Sequence, residues 1–226
     1  MPATRLERVL GPGGKRATLV SSHKAWIVPR IWPESTVAIL GGGPSLPSAE
    51  DLKKIPLSWK TIAVNMAFRS APFSDVLFYG DPHFPSITRA TDGPTIDDFA
   101  GLVVTRVAPG DGSAMFVAWE SGIDGISKDP TRLRWNRSSG ACAIGLARHF
   151  GAKRIVLFGF DMRIVDGRKN FHSWYGRDLK NPFEQMLEPF GAIERDLHEE
   201  QIECINATPG SAIRSLPIVD PVSLFV

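Results

Sequence analysis

Thr36-Val37-Ala38-Ile39-Leu40-Gly41-Gly42-Gly43-Pro44-Ser45 is the stretch that decides the fold. Its first half is rich in β-formers and apolar on both faces, the pattern of a buried strand in a parallel sheet. Its second half is a glycine turn. Ser48-Ala49-Glu50-Asp51-Leu52 then starts a short helix, with Ser48 as N-cap and Asp51 close to completing a capping box. Strand, tight turn and helix in immediate succession open a strand–helix–strand unit.

The same alternation continues along the chain. Thr61–Val64 reads as a strand ending in Asn65, and Asp75–Tyr79 as one ending in Gly80-Asp81. Leu102–Thr105 and Met115–Ala118 are further strand candidates. Gly140–Phe150 reads as a helix with apolar positions Ala143, Leu146, Ala147 and Phe150 at three-and-four spacing, capped by Ser138 and Ser139. Arg154–Phe158 is the clearest strand and ends in Gly159-Phe160-Asp161. Residues 162–182 form a polar and aromatic, lid-like loop. Pro182–Glu200 reads as one long amphipathic helix, with Phe183, Met186, Leu187, Phe190, Ile193 and Leu197 on its apolar face. Ile202–Ile205 is the last clear strand, ending in Asn206-Ala207-Thr208-Pro209-Gly210-Ser211. These elements predict an α/β fold, a Rossmann-like three-layer αβα sandwich with a mostly parallel sheet. Residues 31–226 form its single domain, and residues 1–30 an irregular N-terminal arm.

Composition narrows the function. The 226 residues carry 26 Lys+Arg against 24 Asp+Glu, a net charge of +2, which argues against a protein gripping long nucleic acid by bulk charge. Hydrophobic residues at 43% and charged residues at 22% are those of a globular chain. No run approaches the ~18 apolar residues of a membrane span, and Met1–Arg8 has no secretory pattern, which predicts a cytoplasmic protein. Two cysteines, Cys142 and Cys204, lie in no metal-binding spacing.

Polar residues follow the apolar runs repeatedly: Ser45, Asn65, Asp81, Asp161 and Asn206. In an open parallel sheet the ligand crevice lies at that edge. Gly41, Gly42 and Gly43, followed by Ser45, let backbone N–H groups approach a phosphate or ribose, although the loop is neither a Walker A nor a GxGxxG motif. Ser138, Ser139 and Gly140 open a helix behind Arg132, Arg134 and Arg137, which predicts an anion site. The bland readings are a plain tight turn and an ordinary serine cap with solvated arginines. Asp81 and Asp161 are candidates for a ribose hydroxyl, a base-orienting role, or Mg²⁺ among phosphates, against a structural hydrogen bond. His172, in the polar loop with Arg163, Arg168, Lys169 and Arg177 nearby in sequence, is the candidate general base, against a surface histidine. His83 is a second such candidate. Asn206 is a candidate contact to a base or ribose edge, against turn chemistry.

Taken together, these segments resemble a known group. Val37–Leu46 is similar to the "xGxGPSL" opening of the Campylobacter-type bacterial sialyltransferases, and equally to that of the MptE-like (DUF115) family, which includes archaeal 6-hydroxymethylpterin diphosphokinases. Val64–Phe68 resembles their "xNxxF" segment. Ser138-Ser139-Gly140 with Ile155–Asp161 resembles their "SG…A…LGxxxIxLxGxD" block, and His172-Ser173 and Asn206–Ser211 follow in order. The resemblance spans about residues 36 to 216 and is of a kind familiar in small stand-alone proteins of phages and prophages, for which a host-cytoplasm location would follow.

The resemblance implies that residues 31–226 are a Rossmann-like nucleotide-binding domain, and its sialyltransferase side implies a metal-free nucleotide-sugar donor of the CMP type and a small-molecule or glycan acceptor. Gly43, Ser45, Asn65, Ser139, Gly140 and Asn206 would be donor contacts and His172 the base. A paired-tyrosine arrangement is not evident, since only Tyr79 and Tyr175 are present; Arg168, Lys169 or Tyr175 are the stand-ins. The pterin-kinase likeness implies instead ATP and Mg²⁺ beside Asp81 and Asp161. A third reading is a phage nucleotide-binding or structural protein without catalysis. The apolar stretch Pro217–Val226 is a candidate homo-oligomer contact.

Overall fold

A computed structural model describes residues 25–108, 113–174 and 182–225. Seven strands form one sheet: β1 (Ser35–Leu40), β2 (Lys60–Val64), β3 (Val76–Tyr79), β4 (Leu102–Thr105), β5 (Met115–Phe116), β8 (Ala152–Phe158) and β9 (Glu203–Asn206). Their spatial order is β5-β4-β3-β2-β1-β8-β9, and every neighbouring pair is parallel. A separate parallel pair joins β6 (Ala118–Glu120) to β7 (Arg132–Arg134).

The central strands carry apolar residues on both faces because both faces are covered. On β1, Val37 and Ile39 join one buried cluster, and Ala38 and Leu40 join the other. The first cluster lies under α4 (Ser139–Phe150) and α6 (Phe190–Glu199) through Ile144, Leu146, Phe150, Phe190, Ile193 and Leu197. The second lies under α1 (Ala49–Leu52), α2 (Ala67–Ser70) and α3 (Phe84–Ala90) through Leu52, Phe68 and Phe84. This is the expected three-layer α/β sandwich.

The sequence places α4 well. Ser138 caps its start, accepting the Ala141 N–H at 3.1 Å. Gly151 ends it at φ 103°, where a side chain would meet Arg30 and Pro33. Arg148, in its last turn, forms a bidentate pair with Glu200 at 2.7 and 2.8 Å, tying the C-terminal end of α4 to that of α6.

Three expectations change. The long helix over 182–200 is two helices, α5 (Phe183–Leu187) and α6, because Pro189 has no N–H to donate and its ring excludes the preceding turn. The strand expected over 115–118 is split at Val117, and its second half pairs in the small sheet instead. Arg132 and Arg134 lie in β7, paired with Asp129 and with Glu120 and Asp196, and Arg137 pairs with Asp124 and Glu188, so all three expected anion-binding arginines make local ion pairs.

The arm expected over 1–30 lies largely outside the described residues. Its last part is irregular and sews onto the sheet margin through Trp26 N–H to Phe116 O and Val28 N–H to Pro130 O. The C-terminal stretch folds back on its own chain. Ile218 bridges Asn206, and Phe225 stacks on Phe158 with centroids 6.0 Å apart. Among the described residues, no helix is long and apolar enough to cross a membrane.

Phe150 lies fully buried against Trp32, with ring centroids 4.4 Å apart. Replacing it with Ala is expected to cost about 3–5 kcal/mol in urea unfolding. The same change at the fully exposed Leu57 should stay within about 0.5 kcal/mol of wild type.

Candidate functional site

Strand order reverses between β1 and β8: β2 to β5 run outward on one side of β1, and β8 and β9 lie on the other. At such a switch point the loops leaving the two strands diverge and leave a crevice at the carboxyl edge. A cleft of about 460 Å³ opens there. Gly41, Gly42 and Gly43 after β1, Asn65 after β2, Gly80 and Asp81 after β3, Arg106 after β4, and Gly159 and Phe160 after β8 line it. Ser138, Ser139 and Gly140 bring the N-terminus of α4 to the same space. Met162, Phe183 and Met186 form an apolar wall, and Lys169 and Asn170 reach in from the loop after β8.

The glycine loop works differently from the sequence expectation. Gly41 N–H donates to Phe158 O at 2.7 Å, Gly43 N–H to Gly159 O at 2.9 Å, and Ser45 N–H to the Asp161 carboxylate at 3.2 Å. These three donors are engaged within the protein, and Gly41, Gly42 and Gly43 form a wall of the cleft. Glycine is required here by closeness. A Cβ on Gly41 would stand 2.8 Å from Gly159 O, and one on Gly43 would overlap the Asp161 carboxylate.

Open backbone donors lie at the start of α4. Ser139 and Gly140 occupy its first two positions, where N–H groups have no intrahelical partner and the helix dipole is positive. Asn136 and Arg137, immediately before the cap, hold left-handed backbones at φ 45° and 56°. The side chain of Asn136 fixes this bend through two bonds to Gly125, at 2.9 and 2.8 Å. The bend delivers Arg137 to the cleft, held by Asp124 at 3.1 Å and Glu188 at 3.2 Å. Asn65 (φ 50°) and Met162 (φ 49°) are likewise strained residues of the lining, the sort of backbone cost that concentrates at functional sites. The Asn65 side-chain oxygen is buried with no hydrogen-bond partner, an acceptor suited to a ligand hydroxyl or amino group.

Several proposed residues lie elsewhere. Asp161 is 2% exposed and sits beneath the glycine loop as its anchor, outside the lining. Its own backbone is braced from β9: Ser211 Oγ donates to Phe160 O at 2.6 Å, Phe160 N–H to Thr208 Oγ at 3.0 Å, and Ala212 N–H to Asp161 O at 2.8 Å. The Asn206–Ser211 turn therefore clamps the end of β8. Asn206 itself is fully buried in the sheet opposite Leu157 and does not line the cleft. Ser45 lies on a separate groove with Lys54 and Val222. Asp81 does line the cleft, with Oδ1 accepting the His83 N–H at 2.8 Å. Asp81 and Asp161 thus do not form a shared carboxylate site. Among the described residues, no group of three or more His, Cys, Asp or Glu gathers as metal ligands.

His172 also lies outside the lining. Its ring stacks on Trp174 at 4.7 Å and meets Phe171 edge-on at 4.8 Å, and the Arg69 guanidinium covers Trp174 at 4.6 Å. Burial, with Arg69 adding to it, pulls its pKa down to about 4. The neighbouring Phe171 N–H bonds Gly42 O at 3.0 Å, so this aromatic nest pins the loop that carries Lys169 and Asn170. Tyr175 and Arg177 lie outside the described residues. Cys142 is buried, with its thiol against the carbonyls of Arg134 and Trp135 and its pKa pushed up to about 12, as a packing residue requires.

Arg106 was not read from sequence. It sits one position beyond β4, where the rule that polar residues end the strands would have found it.

No protein-family model matches the chain, and no curated protein sequence matches it. Solved structures do. The MAf glycosyltransferase of Magnetospirillum magneticum AMB-1 is similar over 90% of this chain and 36% of its own, at TM-score 0.59 and 14% identity. The sialyltransferase CstII of Campylobacter jejuni, in complex with a substrate analogue, cytidine-5'-monophosphate, aligns over 86% of this chain and 88% of its own, at TM-score 0.49 and 14% identity. At these identities the likeness is one of fold.

Two outcomes are expected. Gly43→Ala should destabilise the protein by about 1–3 kcal/mol in thermal unfolding, more than Gly42→Ala, whose nearest obstacle is Asn170 Oδ1 at 3.6 Å. His172 should titrate near pH 4 by NMR. Between its ordinary 6.5 and that value the unfolded chain holds a proton that the folded chain does not, so stability should fall as pH drops through this window. His172→Gln should flatten that dependence.

Proposed function

We propose that the chain is a nucleotide-dependent transferase of the glycosyltransferase type, holding a nucleotide-activated sugar in the switch-point cleft. The observation that carries this reading is the meeting, at one strand edge, of the open N-terminus of α4 with the strained, unsatisfied Asn65. In this arrangement phosphate oxygens take the Ser139 and Gly140 N–H groups with Arg137 alongside. Asn65 accepts from a ribose hydroxyl or base amino group, and Met162, Phe183 and Met186 cover an apolar ring. The fold likeness to MAf glycosyltransferase supports this reading, and the sequence resemblance to Campylobacter-type sialyltransferases favours a CMP-linked donor.

Transfer needs an acceptor hydroxyl to lose its proton as its oxygen attacks the anomeric carbon, while the carbon–oxygen bond to phosphate breaks and the phosphate leaves with the electron pair. Asp81 is the carboxylate that lines the cleft, and it is the proton acceptor this geometry favours over His172. His172 holds the loop instead.

Calorimetry with CMP, UDP and ATP, with and without Mg²⁺, tests the binding. Metal-independent binding of CMP is expected; binding of ATP only with Mg²⁺ would overturn the reading. For the chemistry, Asp81→Asn is expected to lower turnover of a CMP-sugar by about 10²–10⁴-fold with nucleotide affinity within threefold of wild type. His172→Gln should change turnover less than tenfold. A loss confined to the His172 variant would return the base role to that residue, and binding without any turnover would leave a nucleotide-binding protein.

A further inference from the structure

Arg106 is a cation held at the cleft with no carboxylate partner. Its guanidinium carbon lies 3.6 Å from the Trp135 ring centroid and 5.2 Å from that of Trp119. The two indoles are themselves edge-to-face, 6.5 Å apart. Among the described residues no acidic side chain pairs with Arg106 within 4 Å, whereas Arg134, Arg137 and Arg148 are all paired. Its Nε is buried and has no hydrogen-bond partner. Burial pulls the guanidinium's pKa below its ordinary value, and the nearby Asp81 pulls it back. A planar cation stacked on aromatic faces, partly withdrawn from water and with its Nε buried and left without an acceptor, is an arrangement that costs stability unless a ligand completes it.

The position specifies what that ligand is. Gly80 lies between Arg106 and α4. A Cβ built on Gly80 would stand 2.8 Å from Ser139 Oγ and 3.0 Å from Arg106 Nε, so these two groups flank the same point of the cleft. The small β6–β7 sheet acquires a purpose here. Trp119 comes from β6, Trp135 follows β7, and Trp135 N–H bonds Glu120 O at 3.0 Å, which locks the two indoles together. Trp119 stays 43% exposed, a large apolar surface left in solvent at the mouth of the arginine's slot.

We propose that Arg106, clamped by Trp135 and Trp119, is the phosphate anchor of the bound ligand, supplying a planar donor to one phosphate group beside Gly80 and the start of α4. The proposal rests on the nucleotide reading for the identity of the ligand but not for its charge. Stacking fixes the plane of the guanidinium, so the anchor requires arginine; a lysine of equal charge cannot hold that plane or present two parallel donors.

The test follows the Arg106 Nε–H resonance by ¹H–¹⁵N NMR, assigned by its loss in Arg106→Lys, during titration with CMP, cytidine and inorganic phosphate. CMP and phosphate are expected to shift it downfield and cytidine to leave it unmoved. By calorimetry, Arg106→Gln and Arg106→Lys should each bind CMP at least tenfold more weakly than wild type, with cytidine affinity unchanged and melting temperature retained. Trp119→Leu, which opens the clamp without touching the charge, should give a partial loss. CMP binding that leaves the resonance and the Arg106→Gln affinity unaltered would overturn the proposal while the nucleotide reading stands. A phosphate-induced shift without binding of CMP or cytidine would uphold the anion anchor and remove the nucleotide. No response to any of the three overturns both.

Discussion

A buried carboxylate holds this site together. Asp161 ends β8, is shielded from water, and accepts the Ser45 N–H across the divide between β8 and β1. A carboxylate removed from solvent must find donors or the fold bears the desolvation cost. Here the donor comes from the loop that leaves β1, so the two strands flanking the switch point are tied at their carboxyl ends. The tie draws the glycine loop against Gly159 and leaves no room for a side chain at Gly41 or Gly43. The cleft is the space that remains beside this joint.

Other elements serve the joint or fill the space. The turn after β9 braces Phe160 and Asp161 through Thr208 and Ser211, which places an aromatic floor under Gly140. The start of α4 points at the cleft because Asn136 and Arg137 turn the chain through two left-handed residues. The loop after β8 returns over Gly42 and is held by the His172 nest. The open start of α4, Asn65 and the Arg106 slot face the space beside the joint, and the glycines let the β1 and β8 loops approach closely.

Most of the fold was legible. Apolar runs such as Ile155–Phe158 are buried on both faces and read as parallel strands without ambiguity, and Ser138 and Gly151 mark the ends of α4 by their own chemistry. The break at Pro189 was also written in the sequence, but the apolar face running through it from Phe183 to Leu197 obscured it. Arg132-Leu133-Arg134 alternates as a half-buried strand does, and was read as a cation cluster because its ion-pair partners, Asp129, Glu120 and Asp196, are not evident from a run of arginines.

The site was legible in part. Strand-end position brought Asn65 and Asp81 to one cleft, and the capped helix start brought Ser139-Gly140 to the same space. The same rule points to Asp161 and Asn206, which lie outside the lining: the Asp161 carboxylate takes the Ser45 N–H instead, and the Asn206 side chain is fully buried in the sheet with no hydrogen-bond partner. The Asn206 backbone pairs with the returning C-terminal stretch through Pro217, Ile218 and Val219. Arg106 shows the converse: an isolated arginine carries no motif, and its meaning comes from two tryptophans that the fold brings to it. The most direct measurement of the central claim is a backbone amide shift map on titration with CMP. The account predicts the largest changes at Asn65, Ser139 and Gly140, with Ser45 little affected; changes centred on the groove of Ser45, Lys54 and Val222, or none at the start of α4, would contradict it.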